Sequence, residues 1–194
     1  MDEKLIIDSA KSFIETLFAN EHSGHDAEHS LRVYKNAVLI ADTEPQCDRF
    51  IVSLAALLHD VDDHKLFATE NNYNARSFLA EQQVEHKSVE QICKIINGVS
   101  FSKNRGMVPD TIEGKIVQDA DRLDAIGAIG IARAFTYGGA HGRSIAESIQ
   151  HFDDKLLLLK DTMNTVQGKR MAEFRHEYIQ KYVDELRSEL NAMR

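Results

Sequence analysis

The sequence predicts an all-α protein, and three observations carry that reading. Apolar residues recur every three or four positions through most of the chain, and no segment shows the apolar–polar alternation of a half-buried strand. Only two prolines, Pro45 and Pro109, interrupt the 194 residues, and both fall between helical stretches. Apolar residues make up 43% and charged residues 28%, enough to build one core under a solvated surface without disulfide or metal staples.

Taken in order, the first helix is marked by Leu5, Ile6, Phe13, Ile14, Leu17 and Phe18 at helical spacing, with Gly24 ending the approach to the next. Residues 27–41 are apolar around most of the circumference, which predicts a helix buried on several sides. Residues 49–59 run into Leu54-Ala55-Ala56-Leu57-Leu58-His59 and read as another core helix. The polar stretch 62–74 is a predicted loop, followed by helices over 74–82 and 86–97. Ser100 to Asp110, with Gly106 and Pro109, is a second loop. Helical patterns resume near 113–135, 144–165 and 169–191, with Gly138, Gly139 and Gly142 marking a turn and Leu156 to Leu159 assigned to the core. No repeat, linker or low-complexity tract divides the chain. One domain over residues 1–194 is expected.

The charge balance excludes several functions. With 31 acidic against 23 basic side chains, the net charge of -8 argues against broad binding to nucleic acid, which needs a basic face. Cys47 and Cys93 form no CxxC pair, so reduced thiols in a cytoplasmic protein are expected. Asp2, Glu3, Asp8 and Glu15 interrupt the first twenty residues, unlike a signal peptide. The longest strictly apolar runs, Leu54 to Leu58 and Leu156 to Leu159, are too short to span a bilayer. The charge leaves room for local sites that bind small phosphates; no nucleic acid and no membrane partner is expected, and a homodimer is left open.

Chemistry is best sought among the nine histidines. His59-Asp60 ends an apolar helix, where an imidazole and a carboxylate need partners because unpaired buried polar groups cost several kcal/mol. A divalent cation would satisfy both, and so would a simple capping role at the surface. His22, His25, His29, Arg32 and Asn36 follow at spacings of three or four and line one helix face. That stripe faces either solvent or an internal cleft. Further on, Asp121 shares a face with Val117, Ala125 and Ala128, while Asp124 lies near that face and Asp119 points elsewhere. A carboxylate in apolar surroundings wants a metal or an arginine. Two imidazoles and two carboxylates without a thiolate disfavour structural zinc and suit Mn²⁺, Fe²⁺, Mg²⁺ or Co²⁺.

That order of a His, a His-Asp pair and a distant Asp resembles the HD-domain superfamily of metal-dependent phosphohydrolases. Gly24-His25-Asp26-Ala27-Glu28-His29-Ser30-Leu31-Arg32-Val33, Leu57-Leu58-His59-Asp60-Val61-Asp62-Asp63-His64-Lys65 and Val117-Gln118-Asp119-Ala120-Asp121-Arg122-Leu123-Asp124-Ala125-Ile126-Gly127 are similar to the three motifs of one bacterial subgroup of small HD hydrolases. Weaker similarity appears at Val99-Ser100-Phe101 and His151-Phe152-Asp153-Asp154-Lys155-Leu156. The resemblance implies an HD-domain helical bundle, with a metal-site core near 22–135 and C-terminal helices near 144–192 packing on it. It implies one divalent metal ion (Mn, Mg, Fe or Co) held by His29, His59, Asp60 and Asp121. It also implies hydrolysis of nucleoside or deoxynucleoside triphosphates to monophosphate and pyrophosphate. Some members hold two metals through extra histidines between His-Asp and the last Asp. Here that interval offers only His64 and His86, which are read as non-ligands.

For the remaining roles, Asp63 is the candidate proton acceptor, with Asp60 sharing the role through its non-ligating oxygen. Arg32, one turn beyond His29, is placed to bind phosphate bidentately, and Lys65 offers a point charge from the loop. Arg122 is expected in a structural ion pair. Arg133 and Tyr137 are expected to pack, with base or sugar contact as the alternative, and His25 has no assigned role. The alternatives to pyrophosphohydrolysis are a phosphomonoesterase or phosphodiesterase on the same metal and, in another class, a non-catalytic nucleotide sensor.

Overall fold

Asp2 begins the first helix by accepting hydrogen bonds from the Lys4 and Leu5 amides, two of the donors a helix start leaves unsatisfied. The computed structural model describes residues 2–19, 26–64, 66–99, 104 and 106–192. Among the described residues are nine α-helices and no strand, which is the predicted all-α class. None of these helices is long and apolar enough to cross a membrane. The chain divides into two units, Met1–Asp121 and Arg122–Arg194.

The first unit is arranged about its third helix. α1 (Glu3–Leu17) buries Ile6, Ala10 and Ile14 at i, i+4 and i+8. α2 (Ala27–Ala41) buries Val33, Ala37 and Ile40 but leaves Leu39 half exposed, so it is covered on one face rather than on several sides. α3 (Arg49–Leu58) buries every residue from Ile51 to Leu58 and packs against α1, α2 and α5. Each fully buried leucine or isoleucine there contributes about 1.5–3 kcal/mol of transfer free energy. The Asp48 side chain caps α3 through the Phe50 and Ile51 amides, and its own amide donates to Glu113 Oε1 at the start of α6. α4 (Tyr73–Glu81) and α5 (His86–Val99) follow, with Phe78 of α4 stacked on Phe13 of α1 at 4.8 Å. α6 (Ile112–Asp124) closes the unit, whose boundary falls between its Asp121 and Arg122.

The second unit corrects three expectations. The single helix predicted near 113–135 is two: α6 stops at Asp124 and α7 (Gly127–Ala140) restarts after an extended Ile126. Gly127 has φ +79, a left-handed conformation that favours glycine, and the Arg175 stem packs where a side chain would sit. Arg175 Nη1 donates to the Leu123 carbonyl at 2.6 Å, satisfying an oxygen that the helix end releases. The helix predicted near 144–165 also divides, into α8 (Ile145–Asp154) and a 3-10 helix (Leu156–Thr162). In that tighter winding residues i and i+3 align, so Leu156 and Leu159 are buried together while Leu158 is exposed; the leucine run is only partly core. Finally, Gly138 and Gly139 lie within α7 rather than in a turn, and only Gly142, at φ +68, follows the helix. α9 (Val166–Ala192) ends the chain's described structure and packs on α7 and the 3-10 helix.

Two glycines give a matched stability test. A Cβ on Gly130 would overlap the Ala125 carbonyl, whereas one on Gly139 meets nothing within 4 Å. Gly130→Ala should lower stability by about 1–3 kcal/mol through backbone overpacking. Gly139→Ala should leave it unchanged or raise it by up to about 1 kcal/mol through helix propensity. Chemical denaturation of both variants reads the difference.

Candidate metal centre

The site is assembled from three helix ends within the first unit. At the start of α2, Asp26 accepts a 2.7 Å hydrogen bond from the His29 amide and caps the helix carrying that histidine. At the end of α3, His59 occupies the C-cap position with Nδ1 2.8 Å from the Ala56 carbonyl. A carbonyl cannot donate, so Nδ1 carries a proton in either charge state, and Nε2 is the nitrogen that can bind an ion once it has given up its own. Asp60 follows immediately, and Asp121 lies in the last turn of α6.

These side chains face one point. The Nε2 atoms of His29 and His59 are 3.2 Å apart. Asp60 Oδ2 lies 3.5 Å from the first and 3.4 Å from the second. Asp121 Oδ1 lies 3.4 Å and 3.8 Å from the same two atoms. His29, His59 and Asp121 form a set whose ligand atoms are all within 4.8 Å of one another. Ligands bound to one ion at about 2.0–2.2 Å are about 3.0 Å apart in adjacent octahedral positions and about 3.4 Å apart in a tetrahedron. The observed separations, from 3.2 to 3.8 Å, lie within or a few tenths of an ångström above that range, so a small inward shift of the side chains would bring the donor set onto a divalent cation. His29 and His59 are almost fully buried, whereas Asp121 keeps 22% of its side chain exposed.

Burial opposes a charge on His59, but the carboxylates of Asp60 and Asp121 outweigh it and hold the imidazolium to about pH 9. Burial likewise opposes the charge on Asp121, yet its hydrogen bond with His29 and the two imidazoles bring it below the ordinary carboxylate range. The protein groups alone thus retain a proton at the point where a cation would balance the same carboxylates.

Supporting residues surround the cluster. Asn36 Nδ2 donates to the Ala120 carbonyl at 3.3 Å, tying α2 to the residue before Asp121. Asp62 binds the Thr69 hydroxyl at 2.7 Å and the Asn74 and Ala75 amides at 2.9 and 3.0 Å. The Asn74 side chain returns a 2.7 Å bond to the Val61 carbonyl. The chain just after His59-Asp60 is therefore fastened to the start of α4. Asn36 was visible as part of a polar stripe. The Asp62 clamp was not, because its partners follow in a loop with no periodicity.

The other candidates fall as follows. Asp63 is mostly buried and lies 3.4 Å from His64 Nδ1. Arg32 is part-buried, with Nη1 3.5 Å from the exposed Glu28 carboxylate. Lys65, His22 and His25 lie outside the described residues. His64 and His86 are exposed and lie beside Asp63 and Glu90 respectively. Asp121 is less buried than the sequence suggested, whereas Asp119 and Asp124 are buried. Asp124 binds Arg133 Nη1 at 2.6 Å, giving that arginine a packing role. Arg122, expected in an ion pair, donates to the Thr162 carbonyl. Tyr137 stacks on His141 at 3.9 Å with Arg143 over its ring.

The HD domain family profile matches residues 26–126, spanning all four clustered residues. The chain belongs to the HD domain family. It is 39% identical to YpgQ of Bacillus subtilis (strain 168) over 202 aligned positions, covering 98% of this chain and 96% of that one. The crystal structure of YpgQ in complex with ADP superposes with a TM-score of 0.81 at 38% identity, covering 94% and 97% of the two chains. The Lin1889 protein of Listeria innocua gives 0.83 at 40% identity, covering 98% of each. An HD-superfamily hydrolase of Bacillus thuringiensis gives 0.81 at 39%, covering 98% and 99%. HD-family membership implies a metal-dependent phosphohydrolase.

The HD site carries a pH signature. The ligand form of His59 is neutral, and its pKa of about 9 lies above neutrality, so metal binding must expel its proton throughout the neutral range. Apparent affinity for Mn²⁺ should rise about tenfold per pH unit from pH 6 toward 9 and then level. Calorimetry in buffers of different ionisation enthalpy should show about one proton released at pH 7. Affinity flat across that range would remove the proton from His59.

Proposed function

We propose that this HD-domain protein hydrolyses nucleoside or deoxynucleoside triphosphates to monophosphate and pyrophosphate, using one divalent ion held by His29, His59, Asp60 and Asp121. The observation that carries the reading is the convergence of those four side chains from three helices onto one point. A bound divalent ion there lowers the pKa of water and offsets charge on a phosphoryl oxygen. Nucleotides are the favoured phosphate compounds because the similar YpgQ was crystallised in complex with ADP. The ion is drawn from Mn, Mg, Fe or Co by its oxygen-and-nitrogen donor set. The chain is treated as one phosphohydrolase domain over residues 1–194.

Asp63 is assigned to accept the proton of the attacking water, and Asp60 to assist through its second oxygen. Arg32 sits one turn beyond His29, with Nη1 3.5 Å from the exposed Glu28 carboxylate. Such surface pairs are worth about 0–1 kcal/mol, so an incoming phosphate can displace Glu28 at little cost. Lys65 is assigned to an outer phosphate. Attack of water on the α-phosphorus breaks its bond to the oxygen bridging to the β-phosphorus, so the water oxygen enters the monophosphate and the bridging oxygen leaves with pyrophosphate.

Hydrolysis in ¹⁸O-labelled water tests that bond. Label should appear in the monophosphate, and diphosphate plus orthophosphate as first products would move attack to the terminal phosphorus. Asp60→Asn should reduce metal content and lower turnover at least about a hundredfold, on the order of 3 kcal/mol. Asp26→Asn is the control, since asparagine also caps a helix and this side chain binds the His29 amide. It should keep its metal. Elemental analysis with circular dichroism distinguishes ligand loss from unfolding.

A further inference from the structure

Of the four proposed ligands, three are positioned by a helix. His29 lies in the first turn of α2 and Asp121 in the last turn of α6. His59 caps α3, with its ring tied back to the Ala56 carbonyl. Asp60 differs, because it stands one residue beyond that cap in the turn that leaves α3. Its carbonyl accepts from the Asp63 amide at 3.0 Å, a bond that closes the turn without tying it to another element. A ligand on such a turn is oriented by whatever fastens the chain just after it.

Asp62 makes that tie, and it does so by capping a helix to which it does not belong. Its Oδ1 accepts from the Thr69 hydroxyl and the Asn74 amide, and its Oδ2 from the Ala75 amide, the two amides belonging to the first turn of α4. A carboxylate suits that end of a helix, where amides are unsatisfied and the dipole is positive. The residue in the ordinary capping position, Asn72, has φ +56 and makes no side-chain cap bond, and Asn71 before it has φ +55. Asparagine tolerates this left-handed region better than most residues, and two in succession persist only where the surroundings hold them. The Asn74 side chain completes the clamp at the buried Val61, whose carbonyl accepts its amide. Asp60 is therefore bracketed by the end of α3 and the start of α4.

We infer that Asp62 is a positioning residue for the metal centre, which acts through Asp60 and couples the first turn of α4 to occupancy of the site by a divalent cation. Both of its oxygens are turned to Thr69 and α4, so it serves the ion by holding the backbone and not as a ligand. The coupling runs in both directions. If the closed clamp strengthens metal binding by some factor, the metal strengthens closure of the clamp by the same factor. The inference rests on the ligand set of the proposed function, and in particular on Asp60.

Calorimetric titration of the full chain with Mn²⁺, with circular dichroism to check the fold, tests the first half. Asp62→Ala should weaken binding about 10–100-fold while keeping its helices. Thr69→Val, which removes one contact of the clamp and is the milder change, should weaken it less, and Thr69→Ser, which keeps the hydroxyl, should bind as wild type. Asp2→Ala is the control for stability alone, since Asp2 caps α1 through two amides in the same unit. It should lower the melting temperature and leave Mn²⁺ affinity unchanged. Hydrogen exchange followed by NMR tests the second half: saturating Mg²⁺ should slow exchange of the wild-type Asn74 and Ala75 amides by about tenfold or more. Wild-type affinity in Asp62→Ala, beside weakened binding in Asp60→Asn, overturns the positioning role and leaves the ligand set standing. Wild-type affinity in Asp60→Asn overturns the ligand set and this inference with it. An Asp2→Ala loss as large as that of Asp62→Ala reduces the effect to general destabilisation and overturns the inference, as does exchange that ignores the metal.

Discussion

The first unit depends on one constraint: α3 is buried along almost its whole length and still has to deliver two polar side chains. A fully enclosed helix has no solvent face, so His59 and Asp60 can be accommodated only where the chain leaves the apolar layer. Neighbouring elements then supply what those groups need. The Ala56 carbonyl accepts a hydrogen bond from Nδ1 of His59, α2 brings His29, and α6 brings Asp121. Removing any one of these partners would leave charge or hydrogen-bonding capacity stranded in a region where water cannot compensate.

The order of burial follows from that constraint. Asp26 and Asp48 cap helices that must begin at fixed positions, because His29 is one turn into the first and His59 follows the end of the second. Asn36 binds the backbone beside Asp121, so α2 and α6 are held by a polar contact as well as by apolar packing. Asp62 and Asn74 do the same for the loop that leaves the site. Short, directional bonds therefore surround the cluster where apolar contacts alone would permit sliding.

Much of this was readable in the residues. Helical periodicity located the main helices because their buried faces repeat at 3.6 residues, as Ile6, Ala10 and Ile14 show. The candidate ligands stood out as polar groups at the ends of apolar runs, although their convergence came from family resemblance and not from spacing. What escaped were interruptions without proline. The break before α7 depends on Gly127 and on Arg175, 48 residues later, and that long-range partner leaves no local pattern. The conversion of 156–162 into a 3-10 helix escaped for a similar reason, since four consecutive leucines suit either winding. Helix-wheel geometry also misplaced two aspartates of α6: Asp119 is enclosed by tertiary neighbours, while Asp121 keeps part of its side chain exposed; Asp124, read as near the apolar face, is buried.

The arrangement of helix ends has an electrostatic consequence. His59 caps the C-terminus of α3 and Asp121 lies in the final turn of α6, so two peptide dipoles direct their negative poles at the cluster. α2 enters with the opposite polarity, and Asp26 sits at its positive pole. The backbone itself is thus biased toward cations before any side chain is counted. A bias of this kind cannot be titrated away by acid, because peptide groups carry no ionisable proton. It should persist in variants that lose a carboxylate, leaving a weakened centre that still prefers positive charge.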